Sequence, residues 1–162
     1  MKIFFAAFLL LAASLVAAFS CTDNEYRGVC VIADARSDPV DLAAKYVGRL
    51  RYVLGGESLE TGADCSGFVQ QIYLNAGRVS LPRTAAQQFN VGTPVARAGL
   101  QAGDLVFFRG TNPSKPKGEI THVGIFLSDC AFIHAPHSGT KVSYGNLCSA
   151  YNIGHYAGAK RV

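Results

Sequence analysis

From residue 40 onward, Val40, Leu42, Ala43, Tyr46, Val47 and Leu50 recur at the three- and four-residue spacing of one helical face. Ser37-Asp38-Pro39 stands just ahead, with a capping side chain and a proline for the first turn. Gly48 weakens the end of this helix, and residues 51–63, with Gly55, Gly56 and Gly62, read as a loop. A second apolar face, Phe68, Val69, Ile72 and Tyr73, predicts a helix over 65–75, capped by Asp64 and stopped by Gly77. Leu81-Pro82-Arg83 reads as extended, and Thr84 caps a short helix over 85–89. The pattern then changes. Residues 105–108, 122–127, 131–134, 141–144 and 153–159 read as strands punctuated by Gly, Pro, Asn, Asp or Ser. Helices first and strands afterwards predict a single α+β domain. Thr111 to Glu119 is the expected mobile loop, with Lys115 and Lys117 read as solvated.

The first twenty residues follow a different pattern. Lys2 precedes an uncharged run that lasts until Asp23, and Ala18-Phe19-Ser20 puts small residues at −3 and −1 of a cut before Cys21. This predicts a secretory signal over 1–20, a polar stub over 21–36, a domain over 37–162 and an extracellular protein. The run falls short of the about 20 apolar residues a span wants, so no stable membrane insertion is expected after cleavage. Phe19 also sits badly in a lipoprotein cut site. A hydrophobic share of 49% against 16% charged residues excludes a disordered chain. Without Lys2, 14 basic residues face 11 acidic ones, a net charge of +3 with no basic run. A nucleic-acid partner is therefore not expected.

The five cysteines are an odd set for a secreted chain. Cys21 and Cys30 share the stub, and Cys130 and Cys148 flank one strand pair, so two local bridges are plausible and other pairings stay open. Cys65 is then left alone at a helix N-terminus, where the dipole and free N–H groups favour a thiolate and can face an oxyanion. From position alone a buried structural cysteine fits as well. Histidine changes the balance, because a thiol nucleophile needs a base and the base needs an orienting group. His122 opens one predicted strand and His134 closes the next, so a short turn at Ser128-Asp129 would bring the two imidazoles together. His137 lies beyond Pro136 with no further ligand set in reach, so no metal and no cofactor are expected. His155 reads as a plain strand residue.

Six blocks in order carry a family resemblance. They are Arg51-Tyr52-Val53-Leu54-Gly55-Gly56, Asp64-Cys65-Ser66-Gly67-Phe68-Val69, Leu81-Pro82-Arg83-Thr84-Ala85, Gly103-Asp104-Leu105-Val106-Phe107-Phe108, His122-Val123-Gly124-Ile125 and Phe132-Ile133-His134-Ala135. Together they resemble the NlpC-type, papain-like cysteine peptidases of bacterial cell walls, over roughly residues 38–162. The resemblance implies a nucleophile helix packed on an antiparallel sheet. It implies hydrolysis of peptidoglycan stem peptides, most often at the bond between γ-D-glutamate and a diamino acid. Cys65 would be the nucleophile, His122 the base and His134 its orienting partner. Tyr52 would lie near the reaction centre, Asp64 and Ser66 would hold the free amine of a stem peptide, and Arg83 would line the same cleft. A monomer is expected. Leu54 stands where the family commonly has Trp, which would reshape the cleft wall. An amidase or acyltransferase on the same scaffold, or a silent wall-binding module, are the alternatives. The identity of the diamino acid stays open, as does whether residues 21–36 cover the cleft.

Overall fold

The structure is a computed structural model that describes residues 37–162. The expected signal over 1–20, the stub over 21–36 and a Cys21–Cys30 bridge lie outside the described residues.

Helix α1 (Pro39–Ala44) starts as its sequence dictates, with Asp38 accepting from the Val40 N–H and Pro39 in the first turn. It is shorter than the apolar spacing predicted, because turns take over before Gly48, whose φ of 73° no helix accommodates. Strands β1 (Glu57–Ser58) and β2 (Gly62–Ala63) form a small hairpin where a loop was expected. Helix α2 (Cys65–Asn75) has the expected bounds, and Gly77 follows it at φ 68°. Helix α3 (Ala85–Gln88) begins with a capping box between Thr84 and Gln87.

The rest is one six-stranded antiparallel sheet. In chain order its strands are β3 (Thr93–Val95), β4 (Leu105–Arg109), β5 (Ile120–Ser128), β6 (Ala131–His134), β7 (Ser143–Asn146) and β8 (Tyr156–Arg161). In space they run β3-β8-β4-β5-β6-β7. Two expectations fail here. Residues 150–155 form a helix, α4 (Ala150–His155), capped by Ser149, so His155 ends a helix and only the later part of the expected strand pairs. Lys141 makes an isolated bridge to Arg51, and β7 begins two residues later than expected. β3 was not foreseen, because Thr93-Pro94-Val95 is too short to show a period.

Central β4 is apolar without alternation because both its faces are covered. Leu105 and Phe107 point to the helix side, where Phe68, Val69, Ile72, Val123, Ile125 and Ile133 join them. Val106 and Phe108 point the other way, onto Phe126, Phe132, Leu147 and Ala159. Helices α1, α2 and α3 thus cover one sheet face, which is the expected α+β arrangement. The second face has a closing device of its own. Cys130 and Cys148 are disulfide-bonded as proposed, with Cα atoms 5.5 Å apart, and tie the β5–β6 turn to the end of β7.

Phe132 lies across the strand pair that carries the histidines. Its ring covers Gly124 on β5 and Gly145 on β7. A Cβ at Gly145 would come within 2.3 to 2.8 Å of three Phe132 ring atoms. The same ring packs against Phe108 and His134, with centroids 5.2 and 4.7 Å away. Gly145→Ala should therefore destabilise the fold by about 1–3 kcal/mol through overpacking, where Ala for Gly on an open strand would help. Urea unfolding measures it, and an unchanged or raised midpoint would refute the packing constraint.

Candidate active site

The site is built on the head of α2. Asp64 Oδ1 accepts from the Gly67 N–H at 2.8 Å, and Asp64 Oδ2 accepts from the Gly55 N–H at 3.0 Å. Arg83 grips the same carboxylate with both terminal nitrogens, at 2.9 and 2.7 Å. Ser66 Oγ donates to Oδ1 at 3.2 Å. Burial works to raise the Asp64 carboxyl, but the Arg83 bonds and the Gly67 and Gly55 N–H groups outweigh it and hold it below its usual range. Gly67 has no room for a side chain, since a Cβ there would stand 2.2 Å from the Gly56 carbonyl oxygen. The Gly67 and Phe68 N–H groups are taken by Asp64, leaving those of Cys65 and Ser66 without a helical partner.

Cys65 is the free thiol among the described residues, and only 7% of it is exposed. Its Sγ–H donates to the Thr121 carbonyl at 3.9 Å. The Val123, Ser66 and Cys65 N–H groups lie against the sulfur from other sides. The sulfur therefore sits on the β5 backbone at both neighbours of His122. The surroundings work against the expected thiolate. Burial pushes the thiol up to about 11, the Asp64 charge adds to this, and the three N–H groups only partly offset it. A helix-end position in the sequence cannot reveal how little water reaches it.

His122 and His134 meet as expected, with His122 Nε2 and His134 Nδ1 2.7 Å apart. The β5–β6 register pairs Ile125 with Ile133 and Phe126 with Phe132, and its continuation sets Gly124 against His134. His122 is then the diagonal neighbour of His134 on the same face. Asp129, at φ 52°, turns the chain between the strands. Burial holds His122 down to about 3, reinforced by His134 and His137. Burial also holds His134 down to about 4, reinforced by His137. The pair is neutral and shares one proton along the 2.7 Å bond. When His122 donates it, His122 Nδ1 keeps a lone pair.

A cleft of about 290 Å³ opens over Cys65. Tyr52, Asp64 and Ser66 line it, together with Leu54, Thr84, Ala85 and the β4–β5 loop residues Lys115 and Glu119. Tyr52 is pushed up to about 12, mainly by burial and then by the Cys65 and Asp64 charges, so its hydroxyl stays a donor. Arg83 does not line the cleft. Besides Asp64 it reaches Ser66 Oγ, the Gly56 carbonyl and Glu57, so it braces the cleft wall from behind. Lys115, read as solvated, is at the cleft and pairs with Glu119. Sequence reading also missed Gln88, which is fully buried and donates from Nε2 to the Ser66 and Pro82 carbonyls. The signal for it was a polar residue on the buried side of a four-residue helix.

The family model described as NlpC/P60 matches residues 48–161. The chain is 33% identical over 162 residues to the murein DD-endopeptidase MepH of Escherichia coli (strain K12), covering 88% of this chain and 58% of that protein. It is 38% identical over 125 residues to the gamma-DL-glutamyl hydrolase of Bacillus subtilis (strain 168), covering 76% of this chain and 28% of that protein. Among solved structures, a lipoprotein-like NLP/P60 family protein of Staphylococcus aureus superposes with a TM-score of 0.68 at 41% identity, covering 77% of this chain and 40% of the other. The NlpC/p60 domain of the peptidoglycan hydrolase SagA superposes at 0.63 with 30% identity, covering 77% of this chain and 97% of the other. The chain thus spans less than two thirds of the length of both curated relatives.

Two outcomes follow from this geometry. The unfolded chain takes up protons at His122 below about pH 6.5, whereas the folded chain refuses them until about pH 3. Stability should therefore fall with falling pH, by about 2 kcal/mol at pH 5 relative to pH 8 from His122 alone. Urea midpoints at the two pH values measure this loss, and His122→Phe should shrink it. An equal loss in both proteins would contradict the buried neutral imidazole. Separately, Gly67→Ala should cost at least about 1 kcal/mol, opposite in sign to the gain of about 1 kcal/mol expected inside an open helix. Chemical denaturation decides the sign.

Proposed function

Because this chain belongs to the NlpC/P60 family, we propose that it is a cysteine peptidase that hydrolyses peptidoglycan stem peptides at the γ-D-glutamyl–diamino acid bond. The observation that carries this reading is the thiol of Cys65. It is free, borders a cleft and lies on the β5 backbone beside His122, which is bonded at 2.7 Å to His134. This supports reading Cys65 as the nucleophile, His122 as the base and His134 as its orienter.

In the proposed reaction His122 donates from Nε2 to His134 Nδ1, leaving Nδ1 of His122 to receive the thiol proton. Cys65 Sγ bonds to the γ-carbonyl carbon as that proton moves, so no free thiolate has to persist in the buried site. The oxyanion takes hydrogen bonds from the Cys65 and Ser66 N–H groups, which have no helical partner, and from the Tyr52 hydroxyl. The C–N bond breaks as His122 returns the proton to the leaving amine. Water then attacks the thioester, giving its proton to His122, and the thiol is reprotonated on release. Ser66, through its Oγ, and Asp64, through its charge on the same wall rather than a free lone pair, are the proposed receivers of the stem peptide's free amine, with Arg83 acting through Asp64. No cofactor enters the scheme.

One observation favours a second bond. Two relatives, MepH and the MepS protein of Escherichia coli, are named DD-endopeptidases. Cleavage of a D-alanyl cross-link is therefore the alternative within the same chemistry. We also propose secretion by the leader over 1–20. An oxidising destination suits the Cys130–Cys148 bridge, and among the described residues no helix is long and apolar enough to cross a membrane.

Digestion of purified peptidoglycan followed by mass spectrometry tests the reading. A new diamino acid N-terminus is expected, and Cys65→Ala should lower its release by at least about 10³-fold while the protein stays folded. Free D-alanyl termini from cross-links would select the second bond. Release of glycan-free peptides with intact L-alanine would select an amidase, and turnover by the folded Cys65→Ala protein would remove the nucleophile assignment.

A further inference from the structure

The cleft carries three charged side chains, Asp64, Lys115 and Glu119. Asp64 is fully engaged by Arg83, Gly55, Gly67 and Ser66. Lys115 and Glu119 are not. Lys115 Nζ meets Glu119 Oε1 at 3.1 Å, with the two side chains 53% and 35% exposed. The loop that bears them is held by its own backbone. Lys115 N–H donates to the Asn112 carbonyl, Glu119 N–H to the Pro116 carbonyl, and Gly110 N–H to the Glu119 carbonyl. An exposed ion pair of this kind adds little to folding and exchanges readily for ligand charges. Glu119 stands two residues from Thr121, whose carbonyl oxygen accepts from the nucleophile thiol. That is roughly 7 Å of extended chain.

We propose that Lys115 and Glu119 form the subsite for a zwitterionic amino-acid centre on the leaving group, and so select meso-diaminopimelate over L-lysine. This rests on the γ-D-glutamyl hydrolase reading. In that reaction the distal centre of the diamino acid lies roughly 6 Å from the leaving nitrogen, along a chain of single bonds. Diaminopimelate carries both an ammonium and a carboxylate there. The ammonium replaces Lys115 at Glu119, and the carboxylate replaces Glu119 at Lys115, so both protein charges stay paired. L-Lysine brings the ammonium alone. It must share Glu119 with Lys115 and faces a like charge, with no carboxylate to offset it. The pair therefore attracts one substrate and repels the other.

The experiment uses the full chain and two tripeptides, L-alanyl-γ-D-glutamyl-meso-diaminopimelate and L-alanyl-γ-D-glutamyl-L-lysine. The ratio of their kcat/KM values is the readout, since a merely structural defect would lower both. The native protein should favour diaminopimelate by about tenfold or more, Lys115→Met should bring the ratio within about threefold of unity, and Lys115→Arg should keep it. A ratio near unity in the native protein, or one that Lys115→Met leaves alone, would overturn the subsite. Binding of both tripeptides to the Cys65→Ala protein, measured by calorimetry, separates the two readings. Selective binding without cleavage by the native protein would keep the subsite and overturn the hydrolase reading. Unselective binding without cleavage would overturn both.

Discussion

The carboxylate of Asp64 joins three stretches of chain that have no sheet in common. It holds the glycine turn at Gly55, the first turn of α2 through Gly67, and Arg83 on the extended segment before α3. A buried carboxylate of this kind is tolerable only because every lone pair has a donor and a guanidinium balances the charge. The consequence is positional. With the Gly67 N–H consumed by the cap, the N–H groups of Cys65 and Ser66 are the ones left at the helix head, on either side of the sulfur's attachment point. The same interaction that fixes the start of the helix thus decides which N–H donors remain beside the sulfur.

Around this hub the dominant electrostatic effect is desolvation. It raises Cys65 and lowers His122 and His134, so each group is held in its neutral form. Helix dipole and local N–H groups act in the opposite direction on the thiol and lose. The thiol and the two imidazoles therefore form no standing ion pair among themselves. In the proposed reaction charge separation belongs to the step in which the proton leaves sulfur, and the β5–β6 register is what brings His122 and His134 together.

How much of this the sequence disclosed depends on the range of the interactions. The α2 cap at Asp64, the capping box at Thr84 and the tight turn beside Asp129 act between residues close in the chain, and each was legible. The meeting of His122 and His134 was legible for the same reason, because a two-strand hairpin converts sequence position into proximity. The hairpin of β1 and β2 was not, since two-residue strands have no period to detect. Neither was α4, where Tyr151 and Ile153 are exposed and Ser149 supplies a cap that outweighs a strand-like run. The burial of Cys65 was also hidden, because it depends on β5 arriving from 56 residues away.

Lys115 shows the limit of reading charge from local composition. A lysine in a proline-flanked loop has every local mark of a solvated residue, and half its surface is indeed in water. Its place at the cleft comes from where the loop ends. Residues 119 to 121 lead onto β5, and the Thr121 carbonyl accepts from the Cys65 thiol, so the loop's last turn passes Cys65. The caps and sheet register fix the head of α2 and the His122–His134 pair through bonds that the fold itself needs. A loop satisfied by its own backbone bonds is free of that restriction. Its side chains are where a fixed catalytic geometry can acquire a preference for one leaving group over another.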